Sequence, residues 1–259
     1  MELIDLLVIG IDTSGKTASC ALCTEDAVLA QNTFVTKLTH SQVILPMVKK
    51  MLEDSGKKLE EIDGFAAVSG PGSYTGLRIG ISAVKGICFA LDKPCAGVSA
   101  LESLAYNFSG TDTVICSVMH ARQNLVYSAF FESDYLGNVE RLSDDEIITV
   151  EELAIRLNEC ARKGAVVCTG DYSAEAVKAA DNEMVFRAAP LLNSPLASSL
   201  CFAAMKKGFS SPDELNAEYM QITKAEKDLI DKNKARVLKS EHIKLQRSAK
   251  NLLCRVYMH

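Results

Sequence analysis

The stretch Gly10-Ile11-Asp12-Thr13-Ser14-Gly15-Lys16-Thr17 decides how this chain begins to fold, because it admits two readings. Letter for letter it fits G-x-x-x-x-G-K-[ST]. In that loop backbone amides cradle phosphates, the lysine reaches the β/γ oxygens and the hydroxyl holds Mg²⁺. Such a loop needs a strand before it and a long helix after it. The apolar run 6–11 supplies the strand, but residues 17–24 do not read as helix. They are short, rich in strand-tolerant residues, and stopped by Glu25-Asp26 ahead of another strand-like run over 27–35. Asp12 would also stand beside phosphate oxygens without a bridging cation, and residues 166–171 are only a weak Walker-B candidate. Three short strands joined by tight turns are therefore the expectation. A stand-alone NTPase built on residues 10–17 is the alternative.

Working outward, residues 43–52 carry apolar side chains at helical spacing up to Ser55-Gly56, with Pro46 in the early turns, where proline costs least. A buried strand over 65–69, a second helix over about 75–91, a short strand at 95–98 and a helix opened by Ser99 follow. The second half begins afresh. Strands are expected at 114–119, 125–131, 147–150 and 166–169, and helices at 151–162 and 196–207. This order predicts two α/β subdomains, each a mixed sheet flanked by helices, over residues 1–103 and 104–222. No sequence repeat accompanies it. Asp12-Thr13-Ser14 at a strand end, turning tightly into a second strand, resembles the first phosphate loop of the actin/hexokinase/Hsp70 superfamily, whose fold is ribonuclease H-like. Two uses remain open for Asp12, Thr13 and Ser14: facing phosphate, or a plain hairpin turn with side chains bonded to backbone.

A chain of 259 residues with 48% hydrophobic content suits a globular protein with one large core or two small ones. No uninterrupted apolar run approaches the ~20 residues of a spanning helix, so no membrane role is expected. The acidic start is unlike a signal peptide. Nine cysteines, mostly inside apolar segments, read as reduced core residues, which favours the cytoplasm. Cys20 and Cys23 form a C-x-x-C without a second pair. Three apart on a strand, they point to opposite faces and read as packing residues. Charge is segregated: residues 1–222 carry a net −11 and residues 223–259 a net +6, making −5 in all. An acidic body argues against gripping nucleic acid unaided.

The most specific stretch is Ser69-Gly70-Pro71-Gly72-Ser73-Tyr74-Thr75-Gly76-Leu77-Arg78-Ile79-Gly80. It reads as a strand exit, a glycine-rich turn, and a helix start that Ser73 or Thr75 would cap. Gly76, Gly80 and Ala83 line one side of the helix, and Leu77, Ile81, Val84, Cys88 and Leu91 fill another. The small-residue side suits either close packing within the chain or contact with a partner.

This dodecamer, with Gly70, Pro71, Gly72, Ser73, Tyr74 and Thr75 at its heart, closely resembles the signature of the TsaB (YeaZ) family. Residues 9–14, 40–46, 97–101, 121–127 and 219–225 match the family's other landmarks, so the resemblance spans about residues 6–225. It implies a two-lobed fold and a non-catalytic scaffold role in transferring threonylcarbamoyl to adenosine 37 of ANN-decoding tRNAs. The implied partners are a TsaD-like catalytic subunit, which is a paralogue, and a TsaE-like ATPase. tRNA would be met indirectly through the complex, which leaves room for ATP or ADP, and a homodimer is expected in isolation. The resemblance places the partner interface on the first two long helices: His40, Ile44, Met47, Val48 and Met51 on one, and Gly76, Arg78, Ile79, Gly80, Ala83 and Ile87 on the other.

No residue is assigned a catalytic or metal-binding role. TsaD-like proteins carry H-x-x-x-H on the first helix, but here Ile44 stands four residues after His40, which then reads as a cap or surface group. His120 replaces the family's usual Asp in the D-A-R turn. No serine carries a nucleophile elbow and no Cys/His pair has local support, so nothing favours a metallopeptidase. The basic tail 223–259 departs from the family; an extension without fixed structure is the reading preferred over a tRNA-contacting arm.

Overall fold

The computed structural model describes residues 6–35 and 37–220. The chain opens as three strands, β1 (Val8–Asp12), β2 (Thr17–Cys23) and β3 (Val28–Val35). β1 pairs antiparallel with β2, with Ile9 opposite Leu22, and β2 pairs antiparallel with β3. The helix that a P-loop requires after Lys16 is therefore replaced by a fully buried strand, and the P-loop alternative falls on that point.

Helix α1 (His40–Ser55) follows, its start fixed by Thr39 and Gln42 and its end by Gly56 in the left-handed region at φ 64°. Then come β4 (Gly64–Gly70), α2 (Tyr74–Leu91), β5 (Cys95–Ser99) and the short α3 (Ala100–Ala105). β4 lies parallel to β1, and β5 lies parallel to β4. The first sheet thus runs β3-β2-β1-β4-β5.

The second half repeats the plan. β6 (Thr113–His120) pairs antiparallel with β7 (Leu125–Ser133), on which β8 (Val139–Arg141) and β9 (Glu146–Thr149) both pair. After α4 (Val150–Ala161), β10 (Val166–Thr169) joins β6 in parallel; after α5 (Ser173–Ala180), β11 (Val185–Arg187) joins β10. α6 (Ala197–Lys207) closes the order. In both sheets the half's first strand is central, with antiparallel partners on one side and parallel strands on the other. β8, α5 and β11 had no sequence expectation.

The last helix of each half crosses over. α3 packs on β6 and β7, while α6 packs on β1 and β2. Where α6 meets β1, a Cβ on Gly10 would lie 2.6 Å from the Ala197 carbonyl oxygen, so only glycine lets helix and strand approach this closely. One hydrophobic cluster accordingly runs from Ile9, Phe65 and Leu77 through Leu101 and Leu104 to Ile115 and Phe131. Each large apolar side chain fully buried there contributes about 1.5–3 kcal/mol. The expected boundary between residues 103 and 104 falls inside α3, and residues 6–220 lie within one compact unit. The basic segment 223–259 lies outside the described residues.

By length and mean hydropathy, 1.2 over 18 residues, α2 would pass for a membrane-spanning helix, although Arg78 and Lys85 interrupt its apolar run. In this fold it lies against β4. Cys20 and Cys23 do face opposite ways. Cys20 sits in the central core with its Sγ 3.9 Å from Met51 Sδ, and burial pushes its thiol up to about 12. Cys23 packs beside Cys201 in a separate cluster.

Candidate functional site

Asp12 ends β1 and begins a turn whose hydroxyls and Ser14 amide bond within the turn and to the segment that opens α2. Ser14 donates both its amide (2.8 Å) and its hydroxyl (2.7 Å) to Asp12 Oδ1. The Thr13 hydroxyl donates to the Gly76 carbonyl at 2.7 Å, and the Ser73 amide donates to the Ser14 carbonyl at 2.7 Å. His40 Nε2 stands 2.9 Å from the Gly15 carbonyl, while its Nδ1 is enclosed without a hydrogen-bond partner among the described residues. Asp12, Thr13 and Ser14 are each 1–2% exposed. Burial raises the Asp12 carboxyl above its ordinary range, against the opposing pull of the Ser14 hydrogen bonds and of His40. Lys16 points to solvent. The arrangement is that of a hairpin turn, with the Ser14 amide and both hydroxyls already engaged.

The glycine-rich segment seals this turn from the other side. Its Gly70–Pro71 peptide is cis, and Ser73 is the N-cap of α2, accepting from the Gly76 amide. A Cβ on Gly72 would lie 2.6 Å from the Ser14 carbonyl oxygen. One on Gly76 would lie 2.0 Å from that of Thr13, and one on Gly80 2.6 Å from the Thr13 hydroxyl. Gly76 and Gly80, expected on the partner interface, are thus buried within the chain.

Helix α1 requires a similar correction. Ile44, Met47, Val48 and Met51 are core residues, between 1% and 7% exposed, because α1 turns this stripe onto β2, and only the edge of Ile44 reaches the surface. His40 is not the cap of α1, a place held by Thr39, but a half-buried link to the β1–β2 turn. Ile87 is half-buried and packs against the core.

What α1 and α2 leave open is a groove of about 610 Å³ between them. Ile44 and Leu45 line it from α1; Tyr74, Arg78, Ile79 and Ala83 line it from α2. Leu45 and Tyr74 are 49% and 41% exposed and lie together at this surface. Two of these lining residues, Tyr74 and Arg78, are held by a residue from far along the chain. Tyr219 accepts a hydrogen bond from Arg78 Nε at 2.8 Å and packs its ring, tilted by 30°, on that of Tyr74 at a centroid distance of 4.7 Å, while the Arg78 guanidinium lies 4.2 Å from the Tyr74 centroid. The sequence matched Tyr219 to a family landmark but carried no signal that it meets Arg78.

At the corresponding turn of the second sheet, between β6 and β7, His120 is exposed. Its amide donates to Asp171 Oδ1 at 2.8 Å, and its ring stacks on Tyr172. Among the described residues, no group of three or more His, Cys, Asp and Glu side chains is arranged to hold a metal ion.

Two sheets of like topology, each begun by a hairpin and finished by parallel strands, with their last helices exchanged, define an α/β protein of the actin/hexokinase/Hsp70 type. Comparison with known proteins narrows this class. The model of the family "TsaD: tRNA N6-adenosine threonylcarbamoyltransferase" matches residues 28–254. The Bacillus subtilis tRNA threonylcarbamoyladenosine biosynthesis protein TsaB is 28% identical over 232 residues, covering 88% of this chain and all of that protein. Its Escherichia coli namesake is 31% identical over 166 residues, covering 63% of this chain and 71% of that protein. The solved structure of YeaZ from Pseudomonas aeruginosa superposes with a TM-score of 0.70 at 26% identity, covering 83% of this chain and 99% of that one. The chain belongs to this threonylcarbamoyladenosine family, as a TsaB (YeaZ) member.

Proposed function

We propose that this chain is a non-catalytic subunit of the cytoplasmic machinery that forms threonylcarbamoyladenosine in tRNA, and that it works by holding a TsaD-like catalytic subunit in the α1/α2 groove. The names of its relatives support the process. The observation that carries the holding role is the contrast within α2. Its Gly76–Gly80 side is closed on a turn whose Ser14 amide and hydroxyls are engaged, while its Ile79–Ala83 side is apolar, concave and open. Surface of that kind gains more from burying area against another protein than from binding a small polar substrate. Transfer to adenosine 37 would then depend on the partner's chemistry, with a TsaE-like ATPase and tRNA joining through the complex. Without its partner the same groove would favour pairing of two copies.

The test is co-purification with the TsaD-like protein from the same source, followed by assay of tRNA modification with and without this chain. Stable association and modification that needs both proteins are expected. Modification at full rate by the TsaD-like protein without this chain would overturn the reading. So would ATP hydrolysis by this chain alone that is lost on Lys16→Ala.

A further inference from the structure

Arg78 lines the groove without a counter-charge among the described residues. Its Nε donates to the Tyr219 hydroxyl, its plane rests on the Tyr74 ring, and no described carboxylate pairs with it. The two terminal nitrogens are left as donors on a group whose rotamers are held by two rings. Freezing a guanidinium in this way removes the ordering cost that usually weakens an exposed ion pair. Arginine is enriched among the residues that dominate interface affinity, and it does so where a partner covers and desolvates it, as an occupant of this groove would cover Arg78.

We propose that Arg78 is a specificity determinant of the groove: it selects a partner segment that places a carboxylate against the guanidinium and an apolar side chain between Leu45 and Ala83. The inference rests on the holding role proposed above and adds the chemistry that the partner must bring. The described groove of a second copy does not bring it. No groove-lining residue is acidic. The acids of α1, Glu53 and Asp54, are ion-paired to Lys49 and Lys50, about 12 Å further along the helix from Leu45. Two copies meeting groove to groove would leave both guanidiniums uncompensated, which costs affinity at a self-complementary interface. Arg78 therefore tips the choice from like pairing toward unlike pairing, while the apolar floor serves both.

The experiment measures two affinities for wild type, Arg78→Gln, Arg78→Lys and Tyr219→Phe, all as full chains. One is for the TsaD-like protein, by titration calorimetry at low and high ionic strength. The other is for self-association, by analytical ultracentrifugation. Arg78→Gln should weaken the mixed complex about ten- to a hundredfold and flatten its salt dependence, while self-association stays equal or tightens. Arg78→Lys should fall between, and Tyr219→Phe, which keeps the ring contact and loses one hydrogen bond, should cost only a few-fold. Because Arg78 is exposed, unchanged melting temperatures are expected and separate this effect from misfolding. Equal mixed affinity for Arg78→Gln, or equal weakening of both associations, would overturn the proposal and leave the holding role standing. Failure of wild type itself to bind the TsaD-like protein would remove both.

Discussion

The two flanks of α2 use small residues to opposite ends. On one, Gly76 and Gly80 admit the backbone and hydroxyl of Thr13 to distances that no side chain would allow. On the other, Ala83 leaves space that nothing in the described chain fills, and with Ile79 and Leu45 it forms an open groove. A small residue in a helix is thus not itself a sign of a partner. What stands opposite decides: a polar turn needing cover on one side, solvent on the other.

That contrast can be broken by substitution. Gly76→Ala should have the largest effect, because its Cβ would stand 2.0 Å from a backbone oxygen that cannot swing away. A loss of about 3 kcal/mol is expected, measured by denaturant unfolding; stability within experimental error of wild type would mean the turn is not sealed as described. Ala83→Trp should do the reverse, leaving stability almost unchanged and weakening partner binding at least about tenfold by filling the groove. If it destabilised the chain while partner binding persisted, the two flanks would have to exchange roles.

Asp12→Asn sharpens the closed side. Burial raises the folded Asp12 carboxyl above its unfolded value, so the folded chain keeps a proton that the unfolded chain has already released. Asp12 therefore removes stability as pH rises through that window and returns it as pH falls. Asparagine keeps the Oδ1 acceptor for Ser14, so the variant should be at least as stable at neutral pH, with a flatter melting profile across the acid range. Superimposable profiles would show that Asp12 carries none of the pH dependence. The smallest effect belongs to Lys16→Ala: this exposed residue lies outside both contacts, and a change within about 0.5 kcal/mol is expected.

The early strands were legible because their turn residues and strand-tolerant runs agree. Glu25-Asp26 stops β2 so soon that a helix never fits. The two long helices were legible from apolar period and from Gly56. Which way those helices face was not. Met47, Val48 and Met51 repeat at the spacing that either a core or an interface would use, and only β2 beneath them settles it. α5 and β11 escaped because eight and three residues give too little period, and Tyr172 at the start of α5 makes no side-chain cap. The Arg78–Tyr219 contact joins residues 141 apart, a distance over which local pattern says nothing.

The exchange of α3 and α6 sets a timetable for the newborn chain. Residues 8–23 leave the ribosome long before the helix that covers β1 and β2, which is not made until Ala197–Lys207. The first sheet is begun before the second and completed after it, with all the strands of the second made in between. Over that interval the Val8, Ala21 and Cys23 surface lacks its lid, which makes it the stretch on which a nascent-chain chaperone has most reason to act.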